Sequence, residues 1–135
     1  MDAKGAREIL FRGKRIDNGE WVEGNIFIPD KVAKREPPTE ILIGTNIVRI
    51  SYEVDPETVC QYTGLTDKNG KKIFEGDIMA FTAYGFDYVG TVEFADGSFS
   101  VMCEHTSPFL DQAVSKHGAY VIGNMHDNPE LLGAE

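Results

Sequence analysis

Two dipeptides, Asn18-Gly19 and Asp96-Gly97, each sit at the centre of a run of alternating apolar and polar residues. Asn-Gly and Asp-Gly accept the positive φ of the type I′ turn, which joins two antiparallel strands with a twist that suits them. A chain punctuated this way at both ends has period two, so it must pair strands and cannot fold as a helical bundle. For YVGTVEFADGSFSVMCE (88–104), a two-residue turn at Asp96-Gly97 places Val92 opposite Val101 and Phe94 opposite Phe99. Tyr88, Gly90, Val92, Phe94, Phe99, Val101 and Cys103 then share one face, and Glu93, Ser98, Ser100 and Glu104 the other. For EILFRGKRIDNGEWVEGNIFI (8–28), the same rule pairs Ile16 with Trp21, Lys14 with Glu23, Phe11 with Ile26 and Ile9 with Ile28. Ile9, Phe11, Val22, Ile26 and Ile28 form an apolar face. Arg12, Lys14, Ile16, Trp21, Glu23 and Asn25 form a mostly charged one.

The stretch CQYTGLTDKNGKKIFEGD (60–77) is dense in turn formers. Asp67 is expected to cap a turn ending at Gly70, which supplies a left-handed position. Gly76-Asp77, ahead of IMAFTAY, reads as a corner where Gly bends the chain and Asp accepts backbone N–H groups. A calcium loop starting at Asp67 would place Lys71 and Lys72 at its fifth and sixth positions, where a ligand and a glycine belong. No phosphate-cradling Gly-x4-Gly-Lys-Ser/Thr run occurs.

Elsewhere the signals are plainer. PDKVAKREPPT (29–39) reads as a mobile loop, and ILIGTNIVRISYEV as one or two strands broken at Gly44-Thr45-Asn46. A short helix is expected over 108–116, with Ser107 as N-cap, Pro108 at the first position and Gly118 ending it. Phe109, Leu110, Ala113 and Val114 would be its apolar stripe. AYVIGNM is a last strand and DNPELLG a closing turn. We expect a mostly β chain: an N-terminal β region over 1–56, then a C-terminal β unit over 57–135, forming one compact whole.

A chain of 135 residues buries about two thirds of its unfolded surface, enough for a core without staples. Two cysteines, Cys60 and Cys103, are too few for a disulfide framework. The start, MDAKGAREILFRG, lacks the continuous apolar segment of a signal peptide, and no run reaches a membrane span, so we expect reduced thiols and a cytoplasmic protein. Residues 1–50 carry nine Lys/Arg and eight Asp/Glu, whereas 51–135 carry four and fourteen, a balance of −10. That acidic half should repel phosphate backbones.

The run QYTGLTDKNGKKIFEGDIM, with PETV upstream, GTVEFADGSF and YVIGNMHDNPELL downstream and REILFRGKRIDNGEWVEG at the start, resembles the YopX family of bacteriophage and prophage proteins. The resemblance spans most of the chain, least strongly over 29–50. It implies a β-rich fold with an SH3-like barrel in the C-terminal part, in a bacterial host cell. It implies no activity and no catalytic residues.

Four residue sets bear on chemistry. Cys103-x-His105, with His117 or His126, has too few ligands at unusual spacing for structural zinc, and Cys60 is distant. Cys103–His105 as a nucleophile pair lacks an orienting group, and Ser98, Ser100 and Ser107 lack a Gly-x-Ser-x-Gly elbow. Glu75 and Asp77 flank a glycine bend, which favours capping over acid–base work. Trp21, Phe11 and Phe27 near Arg12, Lys14 and Arg15 suggest a nucleic-acid stacking platform, although Phe11 falls on the opposite face and Glu23 neutralises Lys14. We therefore expect no enzyme, no cofactor and no metal, but a module that binds a host or phage protein. Nucleic-acid binding and acidic mimicry of DNA are the alternatives. Open sheet edges would also permit self-association, with Trp21 a candidate contact.

Overall fold

The computed structural model describes residues 8–27, 41–44 (backbone only) and 50–133. The expectations for the 29–39 loop, for Ile28 and for the break at Thr45-Asn46 lie outside them. The chain divides into two compact units, Met1–Tyr62 and Thr63–Glu135.

In the first unit the strands are β1 (Phe11–Lys14), β2 (Trp21–Phe27), β3 (Ile41–Gly44), β4 (Ser51–Val54) and the start of β5 (Cys60–Thr66), in the order β4-β3-β2-β1-β5. β1 and β2 form the expected hairpin in a different register: Lys14 faces Trp21 and Arg12 faces Glu23. The loop is wider than two residues, because the Arg15 N–H donates to the Glu20 carbonyl (2.8 Å) and the Gly19 N–H to the Arg15 carbonyl (2.9 Å). Asn18 spends its side chain on the Glu20 N–H (2.9 Å), an Asx-type use that competes with the tight turn. The slip is by two residues, so side-chain parity is kept, but burial is not as the pattern suggests: Arg12 on the charged face is buried, while Ile9 on the apolar face is 59% exposed. β4 returns to the end of β1 through an Arg15–Val54 bridge, with Ile16 N–H on the Glu53 carbonyl (3.0 Å) and Asp55 N–H on the Lys14 carbonyl (2.8 Å). Val54 is fully buried inside this curl.

The second unit starts within β5. It contains β6 (Lys72–Phe74), β7 (Asp77–Ala83), β8 (Phe86–Ala95), β9 (Ser98–Met102), helix α1 (Leu110–His117) and β10 (Tyr120–Asn124). Four of these strands make an antiparallel sheet in the order β10-β7-β8-β9. Its register at the second hairpin is that dictated by a two-residue turn, Val92–Val101 and Phe94–Phe99, with Asp96 and Gly97 both at positive φ (54° and 82°). One sheet face and the helix enclose the core, built on Met79, Phe81, Val92, Val101, Leu110 and Ala113, with Ile73 of β6 in the same cluster. The described strands form antiparallel sheets and no closed barrel.

The turn-rich stretch is a joint of this unit. Asp67 Oδ1 accepts the N–H groups of Asn69 and Lys71 (both 2.9 Å), which closes the turn. Asp67 Oδ2 accepts the N–H of Val121 on β10 (2.9 Å), 54 residues along the chain. Gly76 bends at φ 87°, and the buried Asp77 accepts the Phe74 N–H (2.8 Å). Gly76 also donates to the Val92 carbonyl (2.8 Å) and accepts from Met125 N–H (2.9 Å), so the corner is tied to both sides of its neighbourhood.

The helix begins at Leu110, two residues later than its sequence suggests. Ser107 and Pro108 do not start it, because residues 106–109 run along the edge of β9. Thr106 and Pro108 give their carbonyls to the N–H groups of Cys103 and Val101 (both 2.9 Å). Phe109 consequently leaves the helix stripe. Gly118 closes the helix in the left-handed conformation, as expected (φ 63°).

Candidate interaction surface

The second hairpin is longer than the core it covers. Val92 and Val101 are fully buried; of the next pair on that face, Phe99 still packs against the core, whereas Phe94 is 55% exposed. Their rings meet edge to face with centroids 5.0 Å apart, a geometry aromatic pairs favour. The segment bonded along β9 then sets Phe109 beside them through the Ser100–Phe109 bridge, and Phe109 is 57% exposed. Leu65, from the end of β5, completes an apolar depression of ≈ 350 Å³ lined by Leu65, Ser98, Phe99, Phe109, Leu110 and Asp111. Four of these six are large apolar side chains, and the only charge is a carboxylate. Isolated exposed apolar residues are ordinary, but a contiguous cluster rimmed by polar groups marks a contact surface.

A second exposed aromatic group sits at the β7–β8 hairpin tip. Tyr84 and Gly85 form its two-residue turn, and Tyr84 takes φ 54°, a conformation that costs a non-glycine residue. Tyr84 and Phe86 are both largely exposed, so burial does not offset that strain. The His117 ring lies 5.7 Å from Tyr84 edge-on and 5.9 Å from Phe81 in a stack. Tyr84→Asn should therefore raise stability by about 0.5–1 kcal/mol, since Asn enters this region more cheaply. Urea unfolding checks it, and an unchanged or lower midpoint would mean that the His117 contact outweighs the backbone strain.

A family model, described as YopX protein, matches residues 10–133. The chain belongs to the YopX family. A solved structure, the crystal structure of protein EF1440 from Enterococcus faecalis, is similar to this YopX chain over 94% of its length and 99% of the other's, with 27% identity and a TM-score of 0.59. A comparison with curated proteins finds no match.

The other candidate residues of this YopX chain lie apart. Cys103 is half-buried and follows the end of β9, with its thiol pKa pushed up by burial. His105 stands in solvent, 3.9 Å from Glu104. His117 ends the helix, and His126 lies in the turn after β10, its N–H on Asn124 Oδ1 (3.0 Å). Among the described residues, no three His, Cys, Asp or Glu side chains cluster closely enough to hold a metal ion. Asp77 is buried and accepts the Phe74 N–H (2.8 Å). Ser98 lines the depression, whereas Ser107 is exposed.

Cys60 is buried with its S–H on the Thr58 carbonyl (3.2 Å), and the half-buried Cys103 has its pKa raised by desolvation. At neutral pH each should react with a disulfide reagent at least about tenfold more slowly in the native protein than in denaturant. A fast native phase from Cys103 would contradict this.

On the first unit, the Arg12 guanidinium lies 4.7 Å and the Lys14 ammonium 5.5 Å from the Trp21 ring, and Arg15 lies 4.2 Å from the Tyr52 ring. Arg12 is buried, and Arg15 makes a two-point contact with Asp17 (2.9 and 2.7 Å). These cations already have local partners, so the cluster offers a phosphate less than its composition suggests. Phe11 is on the opposite face of the sheet from Trp21, while Phe27 shares the Trp21 face and is half-exposed. The groove was hidden from sequence reasoning because its walls come from three separated segments; the surplus aromatic pair at the hairpin end was the available signal. No described helix is long and apolar enough to cross a membrane.

Proposed function

We propose that this YopX-family chain is a non-enzymatic accessory protein of phage or prophage origin, acting in the bacterial cytoplasm by binding another protein. The observation that carries the reading is the exposed apolar depression at Leu65, Phe99 and Phe109, with the buried Leu110 beneath it. Its polar lining, Ser98 and Asp111, lacks the several convergent polar groups that orient a small-molecule substrate. Aromatic anchors in a shallow apolar seat are instead typical of the centre of protein interfaces. The family resemblance adds an SH3-like plan for residues 57–135; the described strands there are antiparallel with a single helix and do not close into a barrel. Fold alone does not assign activity, so the reading rests on the surface.

The test is capture from bacterial lysate by the tagged protein after nuclease treatment, beside the variant Phe109→Ser. We expect a saturable protein partner retained by the wild type and lost from the variant. Capture that disappears with nuclease, or that the variant retains in full, would overturn the reading.

A further inference from the structure

We propose that the depression receives a segment of a partner protein in which one large apolar side chain is flanked by lysine or arginine. The inference rests on the reading above that this surface binds protein, and it names the partner's chemistry. The apolar contact comes from Phe99, Phe109 and Leu65, above the buried Leu110, so the seated side chain is apolar. The only charged group in the lining is Asp111, at the first turn of the helix. It is exposed, so a cation beside the anchor can reach it without a desolvation penalty.

The wider field has the same sign. Residues 63–135 carry four lysines and eleven Asp/Glu, a balance of −7. None of the four lysines lines the depression. Lys68 lies 4.6 Å from the Tyr120 ring on β10, the edge of the sheet opposite to β9, and Lys116 is in the last helical turn. Complementary potential steers encounter and penalises the wrong partner, so an acidic segment of equal apolarity is disfavoured. A second copy of this chain brings the same negative charge and is disfavoured for the same reason.

The experiment is a backbone-amide NMR titration of the full chain with three synthetic twelve-residue peptides. One carries leucine and phenylalanine anchors with lysine flanks, one the same anchors with glutamate flanks, and one lysine flanks with serines at the anchor positions. We expect the first to shift Leu65, Phe99, Phe109 and Leu110, binding roughly threefold tighter than the second, with the gap narrowing in high salt. The third should leave those residues unmoved. Asp111→Lys should narrow the gap between the first two. If glutamate- and lysine-flanked peptides bind the groove equally, the charge inference falls and the protein-binding reading stands. If no peptide moves the groove, or shifts there depend only on protein concentration, the inference falls, and a second copy is the occupant in the latter case. Shifts confined to other surfaces would overturn both.

Discussion

Replacing Asp67 with alanine should destabilise the protein by about 3 kcal/mol, because it strips a nearly buried carboxylate from three backbone donors at once. Two of those N–H groups belong to the turn and could recover water. The third, on Val121, is half-buried and 54 residues away, so its loss loosens the attachment of the last strand. Asp67→Asn should cost less, since an amide oxygen can still serve Asn69 and Lys71 while its NH₂ faces the Val121 donor. Urea unfolding of the three proteins gives the order wild type, Asn, Ala.

The same residue gives a dependence on pH. Burial pushes the Asp67 carboxyl upward, but hydrogen bonds from Val121, Lys71 and Asn69 outweigh it and hold the pKa below the ordinary 3.8. A carboxylate depressed in the folded state contributes stability that is complete above its unfolded pKa and is lost as pH falls through the folded one. The stability gap between wild type and Asp67→Asn should hold at neutral pH. It should shrink as the pH drops below about 4. A gap constant from neutral to acid pH would show that the carboxylate charge contributes nothing here.

Gly90→Ala should be comparably damaging, by roughly 3 kcal/mol. A Cβ at this position would lie 2.6 Å from the Met102 carbonyl oxygen, 2.9 Å from its carbon and 2.7 Å from Cys103 Sγ. Two of the three obstacles are backbone, so relief requires β8 and β9 to separate. The double variant Gly90→Ala with Cys103→Ala removes only the sulfur and should recover a minor part of the loss. Thermal unfolding checks both, and full recovery in the double variant would mean that the backbone carbonyl yields readily.

What the chain reveals before folding depends on how local the cause is. The Asp96-Gly97 hairpin is legible because its register follows from two residues and a strict alternation. The first hairpin has the same signal, yet Asn18 turns its side chain to Glu20 N–H and the loop widens. The faces were still readable, because a slip of two residues keeps the parity of every side chain. The helix start failed for a tertiary reason. Ser107 and Pro108 have good helix-start chemistry, but β9 claims the carbonyls of Thr106 and Pro108. The capping role of Asp67 was visible from Gly70 nearby, while its bond to Val121 has no local trace. The depression is the extreme case, with walls drawn from residues 65, 98–99 and 109–111.

The sheet order β10-β7-β8-β9 has a consequence for synthesis. β7, β8 and β9 leave the ribosome as a meander, but the free side of β7 is completed only by β10, the final strand of the sheet. Until Tyr120–Asn124 emerges, Met79 and Phe81 flank an open row of backbone donors and acceptors, the kind of edge that recruits other chains. Docking of β10 and its clasp by Asp67 then seal that edge together. A product cut short before residue 120 would keep that edge of β7 open, whereas β10 covers it here.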